Sequence, residues 1–218
     1  ELTSGMENTY LGMFAGRYNK TGNQNTYIGF LAGRGASNQS NSGNTAIGNG
    51  ALTSITTGTR AVAVGTASMA NMTTGLDNVA VGANSGFTLT TGDYNTAIGA
   101  YALYTEDIGR GTVAVGNAAL YSQDSDSSDE ITRNVGIGQE SGHYNVTGQY
   151  NTYVGYRAGY GSSGNSHLST VAIGTQALNG ITTGNYNTAI GDRAGYTLTT
   201  TTSTVLIGFQ AGYALNST

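Results

Sequence analysis

Isoleucine, valine or leucine recurs along this chain at a fixed interval, each time one residue before a glycine. The glycines are Gly12, Gly29, Gly48, Gly65, Gly82, Gly99, Gly116, Gly138, Gly155, Gly174, Gly191 and Gly208. Eight of the eleven gaps between them are 17 residues, two are 19 and one is 22. Taking each glycine as position 0, position −1 is always Ile, Val or Leu, position −3 is Thr or Val, and position −2 is mostly Ala or Tyr. Side chains alternate in extended backbone, so positions −3 and −1 share one face and position −2 takes the other. A β-branched triplet closed by glycine reads as a short strand ending in a turn. No helical period fits so short a repeat.

Position +3 is Ala or Ser in every repeat, and a second turn often reads Thr-Thr-Gly, as at 56–58, 73–75, 90–92 and 182–184. A period this regular over a whole chain is the signature of a solenoid. The expected fold class is all-β: a parallel β-solenoid of about 12 coils, with two short strands and two glycine turns per coil. At about 4.8 Å per coil the rod would be roughly 55 Å long. Positions −1 and −3 are expected to point inward. The alanines at −2, Ala46, Ala63, Ala80, Ala97, Ala114, Ala172 and Ala189, are expected to form an outer face. A thin rod with an Ala-rich face calls for partner chains, and closed cyclic homo-oligomers are the usual solution. These alanines are therefore the candidate interface.

Composition narrows the function. Charged residues are 9% of the 218, and the net charge is −4 with a single lysine, Lys20. No basic patch exists for nucleic acid or anionic lipid. There is no cysteine for a disulfide or a thiolate metal site, and no apolar run long enough to span a membrane. The ends carry no atypical capping repeat of the kind solenoids use. Residues 1–218 are accordingly expected to be a single repeat domain cut from a longer fibrous protein.

The repeated Asn-Thr-Ala-Ile-Gly of 44–48, 95–99 and 187–191, with Val-Ala-Val-Gly at 79–82 and 113–116, resembles the head repeats of YadA-like trimeric autotransporter adhesins. The resemblance covers about residues 8 to 213. It implies a left-handed β-roll, three identical chains around one axis, an extracellular place on a bacterial surface and adhesion to a glycan or protein. Similar repeats occur in phage tail fibres, which is the alternative setting. The family's repeat is near 14 residues where this one is 17.

The three long repeats place their extra residues at 34–43, 122–133 and 160–169. Loops on a rigid scaffold carry function disproportionately, so Asn38, Asn41, Asp124, Asp126, Asp129, Glu130, Tyr160, Asn165 and His167 are candidate ligand contacts. Tolerated surface insertion is the plainer reading. The acids of the middle loop are oxygen ligands of the type that hold Ca²⁺, but they miss the EF-hand spacing and read as a solvated loop; no cofactor or metal is expected. Position +5 carries Phe87, Tyr104, Tyr121, Tyr160, Tyr196 and Tyr213, and position −5 carries Tyr94, Tyr150 and Tyr186. These rings are either binding anchors or a stacked shield over a thin core. Gly159–Gly164 matches GxGxxG without the helix and acid that a dinucleotide site needs. With His143 and His167 the only histidines, no catalytic triad or acid pair assembles, so an enzyme is not expected. Thr-rich solenoids can bind ice, but the threonines at −3 alternate with Val62, Val79, Val113, Val135 and Val205.

Overall fold

The computed structural model describes residues 4–36, 39–126 and 131–215. It is an all-β parallel solenoid. Twelve three-residue strands, β1 (Thr9–Leu11), β2 (Thr26–Ile28), β3 (Thr45–Ile47), β4 (Val62–Val64), β5 (Val79–Val81), β6 (Thr96–Ile98), β7 (Val113–Val115), β8 (Val135–Ile137), β9 (Thr152–Val154), β10 (Val171–Ile173), β11 (Thr188–Ile190) and β12 (Val205–Ile207), form one sheet in sequence order. Each strand opens the coil of the same number. Every neighbouring pair is parallel and in register on the repeat, as in Ala97↔Ala114 and Ile98↔Val115.

Each coil has one strand rather than the expected two. The reason lies in the turn. Positions +2 and +4 both take left-handed backbone, for example Leu31 at φ 60°, Tyr101 at 58° and Leu103 at 51°. Two such residues close together bend the chain out of extended geometry. The second wall is a stack of turns, held by coil-to-coil hydrogen bonds such as Gly33 N–H to Ala51 C=O at 2.8 Å.

The anchor glycines have a double requirement. Their φ lies between +124° and +139°. A Cβ on any of the first eleven would sit 2.4–2.6 Å from the carbonyl oxygen of the next anchor. Only glycine satisfies both conditions, and that is why the period can be read from this residue alone.

The face assignment of the strands is corrected. Ala46, Ala63, Ala80, Ala97, Ala114, Ala172 and Ala189 are sealed inside the single chain, at 0–2% exposure. They face the turn wall and cannot form an interface between chains. Positions −3 and −1 face outward instead. The alternation was legible in the sequence, but its sense was not. Hydrophobicity favours Ile over Ala for the interior, whereas the narrow coil leaves room for only a methyl group beside a large residue of the opposite wall.

That large residue sits mainly at position +4, and the two walls are reciprocal in nine of the twelve coils. Small −2 residues face large +4 residues in Ala46/Leu52, Ala63/Met69, Ala97/Leu103, Ala114/Leu120 and Ala172/Leu178; large faces small in Tyr10/Gly16, Tyr27/Gly33, Tyr153/Gly159 and Leu206/Gly212. A Cβ on Gly33 or Gly159 would fall within 2.4 Å of the tyrosine ring of its own coil. Coils 5, 8 and 11 are small on both walls (Ala80/Gly86, Gly136/Gly142 and Ala189/Gly195), and neighbouring coils fill the space: Met69 at Gly86, Leu120 and Tyr153 at Gly142, Leu178 and Leu206 at Gly195. Positions +3 and +7 complete the interior, with Ala51, Ala102, Ile55, Met72 and Leu89 fully buried.

The asparagine of Asn-Thr-Ala-Ile-Gly is structural. Asn44, Asn78, Asn95 and Asn134 are buried. Each Nδ2 donates to a turn carbonyl fourteen residues ahead (Gly58, Gly92, Gly109, Gly148), and each Oδ1 accepts the N–H at the equivalent place in the next coil, as Thr112 N–H to Asn95 at 2.9 Å. These side chains satisfy backbone groups that a solenoid interior cannot expose to water.

Candidate functional site: an apolar strand ladder and an aromatic stack

Inverting the strand faces places the β-branched residues of the strands on the outside. Leu11, Ile28, Ile47, Val64, Val81, Ile98, Val115, Ile137, Val154, Ile173, Ile190 and Ile207 pair in register from coil to coil. They form one apolar row the length of the rod. Ile98 is 39% exposed, and Ile47, Val81, Ile137 and Ile190 are similar. Thr or Val at −3 runs beside the row, half-buried in the central coils. Isolated exposed apolar residues are ordinary, but a continuous strip of this extent is a candidate interaction surface. The threonines at −3 do face outward, contrary to expectation. Valine at Val62, Val79, Val113, Val135, Val171 and Val205 interrupts them, so they form no continuous hydroxyl array.

The rings at +5 stack coil upon coil. Phe87, Tyr104, Tyr121, His143 and Tyr160 form an unbroken column, with centroid separations of 5.4, 5.0, 5.0 and 5.4 Å. His143 belongs to the column because it, too, lies at +5; aligning on aromatic residues alone misses it. Tyr196 and Tyr213 stack separately at 5.1 Å. Tyr144 abuts His143 and Tyr160 edge-on, and the Arg157 guanidinium lies 4.8 Å over Tyr160 while pairing with Glu140 at 2.5 Å. Burial lowers the pKa of His143, against the Ala118 carbonyl, which favours its proton. Stacking hides the ring faces and turns the edges to solvent. The column therefore offers hydroxyls and ring edges rather than the open faces on which a sugar ring stacks. The tyrosines at −5 stand apart: Tyr94, Tyr150 and Tyr186 are well exposed, in left-handed backbone.

Among the described residues, three of the long-coil candidates are turned into the interior. Asn41, Asn165 and His167 are buried. In coil 2, the Tyr27 hydroxyl bonds Asn41 Oδ1 at 2.5 Å. In coil 9, the Tyr153 hydroxyl bonds His167 Nε2 at 2.5 Å. Asn165 donates to the Ile181 carbonyl at 2.9 Å. Both 19-residue coils thus hold an interior tyrosine. Their extra residues carry a polar side chain inward to its hydroxyl, at a position that is glycine in Gly58, Gly92, Gly109 and Gly148. In two of the three coils with tyrosine at −2 the coil is also lengthened, and that coincidence was the signal available in the sequence; Tyr10, in a 17-residue coil, is met instead by Asn19 Nδ2 at 2.9 Å. Tyr160 belongs to the ring column.

In the 22-residue gap, Asp124 and Asp126 are exposed. Partial burial and then the neighbouring Asp107 and Asp126 raise the pKa of Asp124. Asn38, Asp129 and Glu130 lie outside the described residues. Among the described residues no group of three His, Asp or Glu is placed to hold a metal ion, and no helix is long and apolar enough to cross a membrane. No family model, curated protein or solved structure matches this chain.

Proposed function

We propose that this chain is a module of a homotrimeric surface fibre that binds a surface glycan or protein multivalently. The carrying observation is the apolar row at position −1. Three rods meeting along that row would remove it from water. Twelve Ile, Val or Leu residues per chain, at about 25 cal/mol per Å² of apolar surface buried, are a substantial drive to associate. The alanines at −2 have no part in this assembly. A rigid trimer would repeat any weak contact three times, which is the basis of avidity. The resemblance to YadA-like heads supports the trimer count, the left-handed roll and the extracellular setting; a phage tail fibre would use the same assembly.

Light scattering coupled to size exclusion tests the assembly. The expected mass is three times the 22.2 kDa of the chain. Ile98→Asp with Ile137→Asp is expected to give folded monomer, since both side chains point outward. A monomeric parent chain, or a trimer unmoved by both aspartates, overturns the reading. Adhesion itself is tested by binding of the trimer to an array of glycans and matrix proteins, where no retention on any of them counts against it.

A further inference from the structure

The two tyrosine coils are built alike with one chemical difference. In coil 2, Asn25 Nδ2 donates to the Asn41 carbonyl at 2.8 Å and Asn41 receives the Tyr27 hydroxyl; in coil 9, Asn151 Nδ2 donates to the His167 carbonyl at 2.7 Å and His167 meets the Tyr153 hydroxyl. Each tyrosine lies fourteen residues before its partner. Asn41 cannot titrate; His167 can. We infer that His167 makes the joint between coils 9 and 10 an acid-sensitive opening point, which its twin between coils 2 and 3 lacks.

The geometry gives a protonated ring no counter-charge. His167 is fully buried, and Nδ1 has no well-formed hydrogen bond. The groups bearing on it are the Tyr153 phenol, the Asn151 amide on its carbonyl and the Thr182 backbone, which alone favours the proton. Among the described residues, no Asp, Glu, Lys or Arg side chain contributes to its titration. Burial holds its pKa down at about 4, against an ordinary value of 6.5. A histidine with a lowered folded pKa supports the folded state fully above pH 6.5. That support is lost progressively as the pH falls from 6.5 towards 4. A solenoid coil contacts only its neighbours, so the loss stays local.

Amide hydrogen exchange on the intact chain, corrected for intrinsic rates, reads the opening. Between pH 7.5 and 5, opening at Thr152 and Val171 is expected to rise about 30-fold, as one proton taken up by an open state of ordinary histidine pKa requires. Thr26 and Thr45 at the twin joint should not share the rise. His167→Asn copies the twin and should abolish the response. Asn41→His should transfer it to Thr26 and Thr45. Equal pH responses at the two joints of the parent chain, or a response that survives His167→Asn, overturn the inference. Should His167→Asn fail to fold, NMR titration of the parent decides: a His167 ring that protonates near pH 6.5 with no change in exchange also overturns it.

Discussion

Coils 3 to 5 and coils 6 to 8 share one backbone and fill it by opposite means. At position +7 the first group carries Ile55, Met72 and Leu89, all buried. The second carries Glu106, Gln123 and Asn145, equally buried. In the first group, side chains interlock between coils: Met69 reaches under Gly86, where an added Cβ would lie 3.2 Å from its Cγ. In the second, amides and hydroxyls close a network. Gln123 Oε1 accepts from Asn134 at 2.7 Å and Asn145 at 2.9 Å, and its Nε2 donates to the Val146 carbonyl at 2.8 Å. Strand register and coil-to-coil pairing are the same in both. The ladder of backbone hydrogen bonds sets the fold, and the interior has only to be filled and satisfied. What differs is how each interior fails.

The largest contrast should come from substitutions that keep size and change chemistry. Gln123→Leu removes one acceptor and one donor from a sealed network. It leaves an N–H on each of Asn134 and Asn145 without that partner, while the Val146 carbonyl keeps the Asp124 N–H at 3.0 Å. At about 1–3 kcal/mol for each buried polar group left unmatched, a loss of at least about 2 kcal/mol is expected in urea unfolding. Met69→Leu, in the apolar coils, should cost less than about 1.5 kcal/mol, as volume-conserving swaps do. Leu52 and Leu103 already occupy that position at φ 51°, so the backbone accepts leucine there. Similar losses from the two substitutions would break the distinction between the interiors.

The legibility of the sequence follows the same line. Features fixed by backbone geometry could be read directly. The anchor glycines set the period, the β-branched triplets marked the strands, and the small residue at +3 reported a crowded site. Features fixed by reciprocal packing could not be read one position at a time. Ala97 and Ile98 exchange sides because Leu103 on the turn wall takes the volume that Ile98 would need. Tyr27 and Tyr153 required the long coils to be compared with the tyrosines ten or more residues upstream, not with one another as loops. The burial of Glu106 has no signal within its own coil, because its partner, Ser125, comes from the next coil, nineteen residues later.

A smaller effect, readable through pH, separates the polar coils again. Glu106 accepts from Gly109 N–H at 2.7 Å and the Ser125 hydroxyl at 3.1 Å. Burial nevertheless outweighs these donors and raises its pKa. A carboxyl raised in the folded state stabilises fully below its ordinary value, 4.5. That contribution is lost as the pH climbs through the folded value. The sign is opposite to that of His167. Glu106→Gln removes the titration and should flatten the decline of stability on the alkaline side of pH 4.5. Urea midpoints across pH 4 to 8 measure it, and an unchanged profile would mean that folding leaves the Glu106 pKa at its unfolded value.

The smallest expected effect lies on the turn wall common to both interiors. Ala67 occupies position +2 with φ 54°, while Gly50 occupies the same place one coil earlier at φ 68°. Left-handed backbone costs an L residue about 1–2 kcal/mol, and glycine escapes that cost while adding roughly 0.5–1 kcal/mol of unfolded-state entropy. The two terms nearly cancel, so Ala67→Gly should change stability by no more than about 1 kcal/mol, towards stabilisation. Ala118→Gly, at the equivalent place in coil 7 with φ 52°, should behave alike, because the strain belongs to the turn and not to the interior beneath it. If the two differ in sign, the interiors reach through to the backbone of the turns. The wall would then not be the common frame that the uniform register of all twelve strands describes.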